Sequence, residues 1–424
     1  MHHESALPVE VQRQVGTLGR AGIVVGVPSY NNAPTIGRVA AAAAAGAKAC
    51  FPQSRVVLVN ADGASSDRTQ EVVRGLELPP TVERLVFSYR GIPGKGSALK
   101  AIFEVAASVG AAACVVVDSD LRSVTPEWIG KLAAPIFEGY DFVAPYYIRH
   151  KHDATITNSI CYPLTRALYG LRVRQPIGGD FGISGNLVGL YLAKDVWHTD
   201  AARFGVDVFM TTTAIVESGK VIQAALGTKV HDTKDPGSDL GPMFKQVVST
   251  LFEMMSRYED SWKGTRGSRP VEVRGVDDVQ PVEPDPVGMD LNRLVQTFKA
   301  GVQEHGEVWD AVLGRNAAAS LEKLVALEDP CFPADLWVDA VYAFAVAYCH
   351  ARGVGDRKAL LEALIPLYNG RIAAFAREAR DMTSHEAEAL IEAQCALFEQ
   401  AKPELVRVWE SRKRQGSQRA GVSL

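Results

Sequence analysis

Two carboxylates one residue apart, Asp118 and Asp120, follow directly on an apolar run at residues 111–117 (AAACVVV). A run of that length and composition suits a fully buried strand. Ending it in paired acids has no packing rationale, because an unpaired buried carboxylate costs far more than a strand end recovers. These acids must therefore meet a cation, a donor or water. Alternation along an extended chain sends both side chains to one side. They can then face one hard metal ion, Mg²⁺ or Mn²⁺, held between the protein and a ligand's phosphates. The plain alternative is a pair of solvated loop acids, with Asp120 capping the next helix.

Three more strand ends carry small and polar residues. Pro28-Ser29-Tyr30-Asn31-Asn32 follows the stretch GIVVGV, and a run of small residues from Asn60 through Asp62 to Thr69 follows RVVLVN. The second leaves room for a planar ligand. After the third comes Arg90-Gly91-Ile92-Pro93-Gly94-Lys95-Gly96-Ser97, a glycine-rich loop with one lysine before a helix. Exposed amides, a positive helix end and Lys95 together make an anion site. The spacing is not that of a P-loop. No G-x-G-x-x-G follows the first strand, which argues against an NAD enzyme. Any one loop reads equally well as a turn. Three such loops plus the acids on one sheet edge do not.

The elements that must position these loops alternate in type. Strands are expected at 22–27, 55–60, 82–89 and 111–117, with helices at 35–50, 67–76 and 97–109 between them. Such β-α units predict an α/β fold with a parallel sheet covered on both faces. A helix at 210–221 and a strand or extended segment at 222–231 follow. Residues 264–288 are rich in Pro, Asp, Val and Arg, as in a linker or exposed arm. From 289 onward the periodicity turns helical, as in Leu291, Leu294 and Phe298. The expected division is a domain at 1–263, the arm at 264–288, and a helical domain at 289–424.

Bulk properties set the outer limits. The 424 residues are 47% hydrophobic and 22% charged, as in an ordinary globular protein, and the formal charge of -4 gives no reason to expect a nucleic-acid or membrane partner. Six scattered cysteines without a C-x-x-C pair fit structural thiols in a reducing compartment. No stretch reads as a signal peptide or a membrane span, so a cytoplasmic location is expected. Apolar faces in the helical part are suited to self-association as a homodimer.

The set P-S-Y-N-N, N-A-D-G-A-S-S-D-R-T, G-K-G and D-S-D resembles nucleotide-sugar glycosyltransferases of the GT-A fold. More narrowly, the chain is similar to the retaining transferases that make mannosylglycerate, glucosylglycerate or glucosyl-3-phosphoglycerate. I-P-G-K-G-S-A (residues 92–98) and D-S-D-L-R-S-V-T-P-E-W-I (118–129) carry that likeness. R-H-K-H-D-A-T-I-T (149–157), Q-P-I-G-G-D (175–180) and G-V-D (205–207) extend it. The resemblance implies a mixed, mainly parallel sheet with a C-terminal all-helical extension. It implies a donor site of Pro28, Ser29, Tyr30, Asn32, Asp62, Gly94, Lys95, Asp118 and Ser119, with Asp62 reading the base edge and Lys95 neutralising the pyrophosphate. Asp120 and His231 would hold the divalent cation. Arg149, Asp153, Thr157 and Asp207 would surround the acceptor.

The activity implied is transfer of mannose or glucose from a GDP- or UDP-hexose to a small hydroxy acid such as D-glycerate, with retention, making a compatible solute. Lys95 and the metal would stabilise the departing phosphate. No nucleophile is evident. Asp180 or Asp207 would serve in a double displacement, and front-face attack is equally compatible. Asp180 stands where the family more often has Glu. The positive cluster His150-Lys151-His152 suits either a phosphorylated acceptor such as 3-phosphoglycerate or a solvated loop. Other readings are a polymer- or lipid-directed transferase of the same fold, a non-catalytic nucleotide-sugar sensor, and a nucleotidyltransferase. No R-x-x-P-x-x-K signature supports the last.

Overall fold

In the computed structural model, residues 4–231, 240–279, 283–351 and 353–421 are described. Asp232, next to His231, and residues 280–282 of the expected arm lie outside them. The apolar runs form the strands they predict: β1 (Ile23–Ser29), β2 (Val56–Asp62), β3 (Val82–Ser88) and β4 (Ala113–Val116). Every residue of β1, β2 and β4 is buried. Four more strands complete the sheet: β5 (Phe142–Ile148), β6 (Phe181–Ser184), β7 (Val221–Thr228) and β8 (Val273–Arg274).

The order across the eight strands is β8-β7-β5-β6-β4-β1-β2-β3. Neighbours are parallel except around β6, which runs antiparallel to both β4 and β5. That reversal matters for function. Val116 pairs with Phe181, so the entry to β6 lies beside the exit of β4, and Asp180 arrives next to Asp118. Ile148 pairs with Thr228, which brings Arg149 and Lys229 to the same edge.

Helices α1 (Val9–Leu18), α2 (Ala33–Cys50), α3 (Thr69–Arg74), α4 (Lys95–Ser108) and α5 (Pro126–Phe137) cover the sheet. The alanine-rich face of α2 puts Val39, Ala40, Ala43 and Ala47 into a core with Val25, Leu58, Ile129 and Leu132. Small residues there allow helix and strand to approach closely.

The sequence reading missed β5, β6 and β8. Pro145 interrupts the apolar run of β5, and four-residue β6 contains Gly182, so neither carries a strong strand signal. The expected arm at 264–288 is partly a strand: Val273 and Arg274 add to the sheet edge beside Gln223 and Ala224. Buried Gln223 fixes it there, its backbone N–H donating to the Glu272 carbonyl and its side chain to the Val271 carbonyl. The helix expected at 210–221 spans Val206–Thr213 and continues as a π-turn, Ala214–Ser218, before β7 begins at Val221.

The chain divides into two units, and not at the boundaries expected from composition. Met1–Arg149, Val173–Asp232 and Pro270–Pro284 make the sheet unit, while His150–Arg172, Thr233–Arg269 and Asp285–Leu424 make the second. The second unit is helical, with long helices at Leu291–Leu313, Ala334–Cys349, Val354–Glu378 and Ser384–Gly421. Its core is aromatic. Trp309 and Trp337 are buried and donate their indole N–H to the carbonyls of Ala363 and Ser159, each at 2.8 Å. Arg371, 2% exposed, forks onto both oxygens of Glu378 at 2.7 Å. Among the described residues no helix is long and apolar enough to cross a membrane.

Gly182 tests the sheet packing directly. A Cβ there would fall 1.9 Å from the Leu132 carbonyl oxygen on α5, so Gly182→Ala must push α5 off the sheet. The expected loss is about 3 kcal/mol or more in a denaturant titration; an unchanged midpoint would refute this packing.

Candidate active site

The exits of β1, β2, β4, β5 and β7 and the entry of β6 meet at one edge of the sheet. In open α/β sheets that edge is where ligands bind. Asp118 sits at its centre. The Lys95 ammonium lies 2.7 Å from Asp118 Oδ1, and the Lys229 ammonium 3.0 Å from Oδ2. The Asp118 backbone N–H donates to Asp180 Oδ1 at 2.8 Å. Gly179 permits this crowding. Its φ of +89° favours glycine, and a Cβ there would fall 2.0 Å from Asp118 Oδ2.

Asp180 is fully buried. Its Oδ2 accepts from Lys229 Nζ at 2.9 Å and from the Tyr147 hydroxyl. Lys229 also donates to the Gly178 carbonyl at 2.8 Å and lies 5.1 Å from the Tyr147 ring centre. Helix α7, numbering Gly185–Leu192 as α6 and Val206–Thr213 as α7, carries Asp207 in its first turn. Lys95 Nζ lies 3.3 Å from both Asp207 oxygens, in hydrogen-bonding geometry only toward Oδ2. Oδ1 is buried without a hydrogen bond.

Burial works against every charge in this cluster, and the outcome differs by residue. For Asp118, Lys95 and then Lys229 override burial and hold the carboxyl well below the usual range. Lys95 is pushed above the ordinary lysine value by Asp118 and Asp207 despite burial. Lys229 is raised in the same way by Asp180 and Asp118. Asp207 is raised, because burial outweighs Lys95. Asp120 is raised too, by burial and then by Asp118, against the opposing pull of Lys229 and His231.

Asp120 is thus the carboxylate that neither lysine contacts. It makes no hydrogen bond or ion pair among the described residues, although it is largely enclosed. His231 comes alongside because residues 229–231 run antiparallel to residues 121–123. Leu121 bridges His231, and the Arg122 N–H donates to the Val230 carbonyl at 2.8 Å. Arg149 Nη2 lies 3.1 Å from His231 Nε2. A guanidinium only donates, so that contact needs Nε2 as acceptor.

A divalent cation fits this donor set. One carboxylate in need of positive charge and one imidazole suit Mn²⁺ at least as well as Mg²⁺. Among the described residues no three His, Cys, Asp or Glu side chains form a metal cage. The remaining positions would go to ligand phosphates and water, the usual arrangement for Mg²⁺-type sites.

The donor-side residues fall into two groups. Tyr30 is 65% exposed, its ring free to stack on a planar ligand. Asn32 Oδ1 accepts from the Tyr30 N–H and the Ser119 hydroxyl, which ties the first loop to the D-S-D loop. Asn31 has a φ of +53°, and its N–H donates to Ser65. Pro28, Ser29 and Asp62 are buried. Asp62 accepts four hydrogen bonds, from the Ser29 and Ser65 hydroxyls, the Ser65 N–H and Gln70 Nε2. It braces two strand ends rather than offering a free carboxylate.

The Gly94-Lys95-Gly96 loop is also more occupied than its sequence implies. The Gly94 N–H donates to the Tyr89 hydroxyl and the Gly96 N–H to the Arg203 carbonyl. Lys95 is the cation left to this loop. Asp153 and Thr157 belong to the helical unit. Asp153 Oδ1 accepts from the Ala154 N–H, and Thr157 opens a π-turn and is buried. Sequence reasoning missed Lys229 and Tyr147; a lysine directly after the apolar strand β7 was the available signal.

Residues 24–176 match the model of glycosyl transferase family 2. That match covers less than half of the chain and falls on the stretch that carries the strand-end motifs; the fold is of GT-A type, and the enzyme class is glycosyltransferase. Among solved structures the chain is similar to glucosyl-3-phosphoglycerate synthase from Mycobacterium tuberculosis. The complex with Mn²⁺, UDP-glucose and phosphoglyceric acid is 20% identical, with 60% of this chain and 86% of that chain covered and a TM-score of 0.42. The complex with Mg²⁺ and UDP is 20% identical over 59% and 85%, with a TM-score of 0.42. The complex with Mn²⁺, UDP-glucose and glycerol 3-phosphate is 21% identical over 60% and 86%, with a TM-score of 0.41. No curated protein matches the chain.

The isolated charge on Asp120 has a thermodynamic consequence. For an acid whose folded pKa is raised, ionisation costs more in the folded state, so the penalty is absent below the unfolded value and grows as pH rises through the folded one. Asp120→Asn should therefore raise the melting temperature at neutral pH in metal-free buffer, and the gain should vanish in acid. A lower melting temperature at neutral pH would contradict this electrostatic assignment.

Proposed function

We propose that this protein is a metal-dependent, retaining hexosyltransferase that moves mannose or glucose from a nucleoside-diphosphate sugar to a small hydroxy acid such as D-glycerate. The observation that carries the reading is Asp120: a carboxylate without a cation beside His231, on a sheet edge that also holds two lysines. A metal bound there supplies Lewis-acid stabilisation of the leaving diphosphate.

The chain's own residues would do the rest. Tyr30 offers its face to the base, with Asn32 and Ser119 holding the loop that carries it. Pro28, Ser29 and Asp62 set the shape of that pocket from behind. Lys95, at the start of α4 beside Gly94, would exchange Asp118 for the diphosphate as charge develops on it, a term of the kind that dominates such catalysis. Asp207, with one oxygen lacking a hydrogen bond, is placed to accept from a sugar or acceptor hydroxyl. Arg149, at the exit of β5, would fork onto the acceptor carboxylate.

The unphosphorylated acid is the preferred acceptor for a specific reason. Lys151 would have been the cation for a phosphate, but its ammonium caps a helix end, donating to the carbonyls of Ala379, Arg380 and Met382. The alternative acceptor, 3-phosphoglycerate, therefore lacks an available lysine at that position.

Purified protein with Mn²⁺ or Mg²⁺ should be crossed with GDP-mannose, GDP-glucose and UDP-glucose against D-glycerate and 3-phosphoglycerate. Released nucleoside diphosphate and product mass are the readouts. A glycosylated glycerate is expected, and Asp120→Ala and Lys95→Ala should each lower turnover about a hundredfold to a thousandfold. Donor binding with no transfer to either acid would overturn the acceptor assignment, and tight donor binding with no hydrolysis would favour a sensor.

A further inference from the structure

Lys229 belongs to none of the motifs, yet it is the most enclosed cation of the site, its side chain 5% exposed. Its ammonium donates to Asp118, Asp180 and Gly178, which uses all three of its N–H groups. The Tyr147 ring closes the remaining side. Lys95, the other ammonium on Asp118, stands at a helix N-terminus with a more exposed side chain. Lys95 can change partners when a diphosphate arrives. Lys229 cannot: it is fixed by a strand exit, three acceptors and a ring.

We infer that Lys229 is a positioning residue that directs the divalent cation to Asp120 and His231 by keeping Asp118 out of its coordination shell. The inference rests on the metal-dependent reading above. Any cation that approached Asp118 would meet a fixed ammonium 3.0 Å from Oδ2, and like charges at such separations in an enclosed site repel strongly. Asp120, lacking a cation of its own, is the carboxylate left to the metal. The same ammonium disposes of Asp180. That carboxylate is fully buried and takes donors on both oxygens, Lys229 and Tyr147 on one and the Asp118 amide on the other. Asp180 thus locks Lys229 in place and does not attack the sugar. Asp207, which among the described residues pairs only with Lys95, or the acceptor itself at the front face is left for bond formation.

Mn²⁺ affinity of the full chain, read by electron paramagnetic resonance without any donor, separates this role from the choice of substrate. Three variants are compared with the wild type: Lys229→Arg, which keeps the charge, Lys229→Met, and Lys229→Met/Asp180→Asn. The double variant removes both members of the buried pair, so it avoids leaving one charge stranded. Lys229→Met and the double variant should bind Mn²⁺ about tenfold tighter or more, since Asp118 is freed to ligate. Lys229→Arg should bind as the wild type does. In the same assay Asp118→Asn should lose less than about tenfold in affinity and Asp120→Asn more than about a hundredfold. Unchanged or weaker Mn²⁺ binding in the folded double variant overturns the role of Lys229. Should neither Met variant fold, equal losses in Asp118→Asn and Asp120→Asn overturn it instead, and the predicted inequality supports it. A wild type that binds no Mn²⁺ at all overturns both this inference and the metal-dependent reading, whereas metal binding without transfer overturns only the latter's substrates.

Discussion

Asp118 held between two buried ammonium groups is the constraint on which the strand-exit edge of the sheet depends. The cost of enclosing that carboxylate is offset by the two ammonium groups that reach it. Each lysine is in turn tolerable only with its second acid, Asp207 for Lys95 and Asp180 for Lys229. The chain of obligations ties β4 to β6, β7, α4 and α7, and the Tyr147 hydroxyl adds β5. Removing one member leaves an uncompensated buried charge, a loss of about 3–5 kcal/mol in comparable pairs.

That network explains features of the fold that packing alone would not require. An all-parallel sheet would put the exit of a strand, not its entry, beside Asp118. Antiparallel β6 supplies the entry, and with it Gly178, Gly179 and Asp180. The backbone at Gly179 then comes within reach of the Asp118 carboxylate. Fixed charges of this kind need no reorganisation when a substrate's charge develops, which is the physical basis of electrostatic preorganisation. Only the members at the rim retain freedom: Lys95 on a helix end, Asp120 without a cation, and Tyr30 exposed.

The helical unit solves a different problem with similar means. Its buried cation, Arg371, is satisfied by the two oxygens of Glu378, the Phe332 carbonyl and Gln394. Lys151 finishes a helix by donating to the carbonyls of Ala379, Arg380 and Met382 at its end. Within the basic cluster His150-Lys151-His152, the lysine serves as a cap. The charge is the same; the neighbours assign its use.

Local chemistry determined what the sequence could reveal alone. Apolar runs of strand length, glycine at turns and acids at a strand exit are consequences of short-range sterics and burial, so β1 through β4, α2, α4 and the D-S-D edge were legible. So was the class of enzyme, because the motifs recur at those strand ends. What stayed hidden depends on residues far apart in the chain. Pro145 and Gly182 mask β5 and β6, whose strand character comes from their neighbours in the sheet. Lys229 meets Asp118 across 111 positions and Asp180 across 49. Asp62 and Asp180 read as free carboxylates in the sequence, and only the folded chain fills their lone pairs. The sequence by itself decided which chemical groups reach the strand-exit edge of the sheet. The tertiary structure decided which of them are neutralised there and which remain to act, because burial and pairing are properties of the three-dimensional neighbourhood.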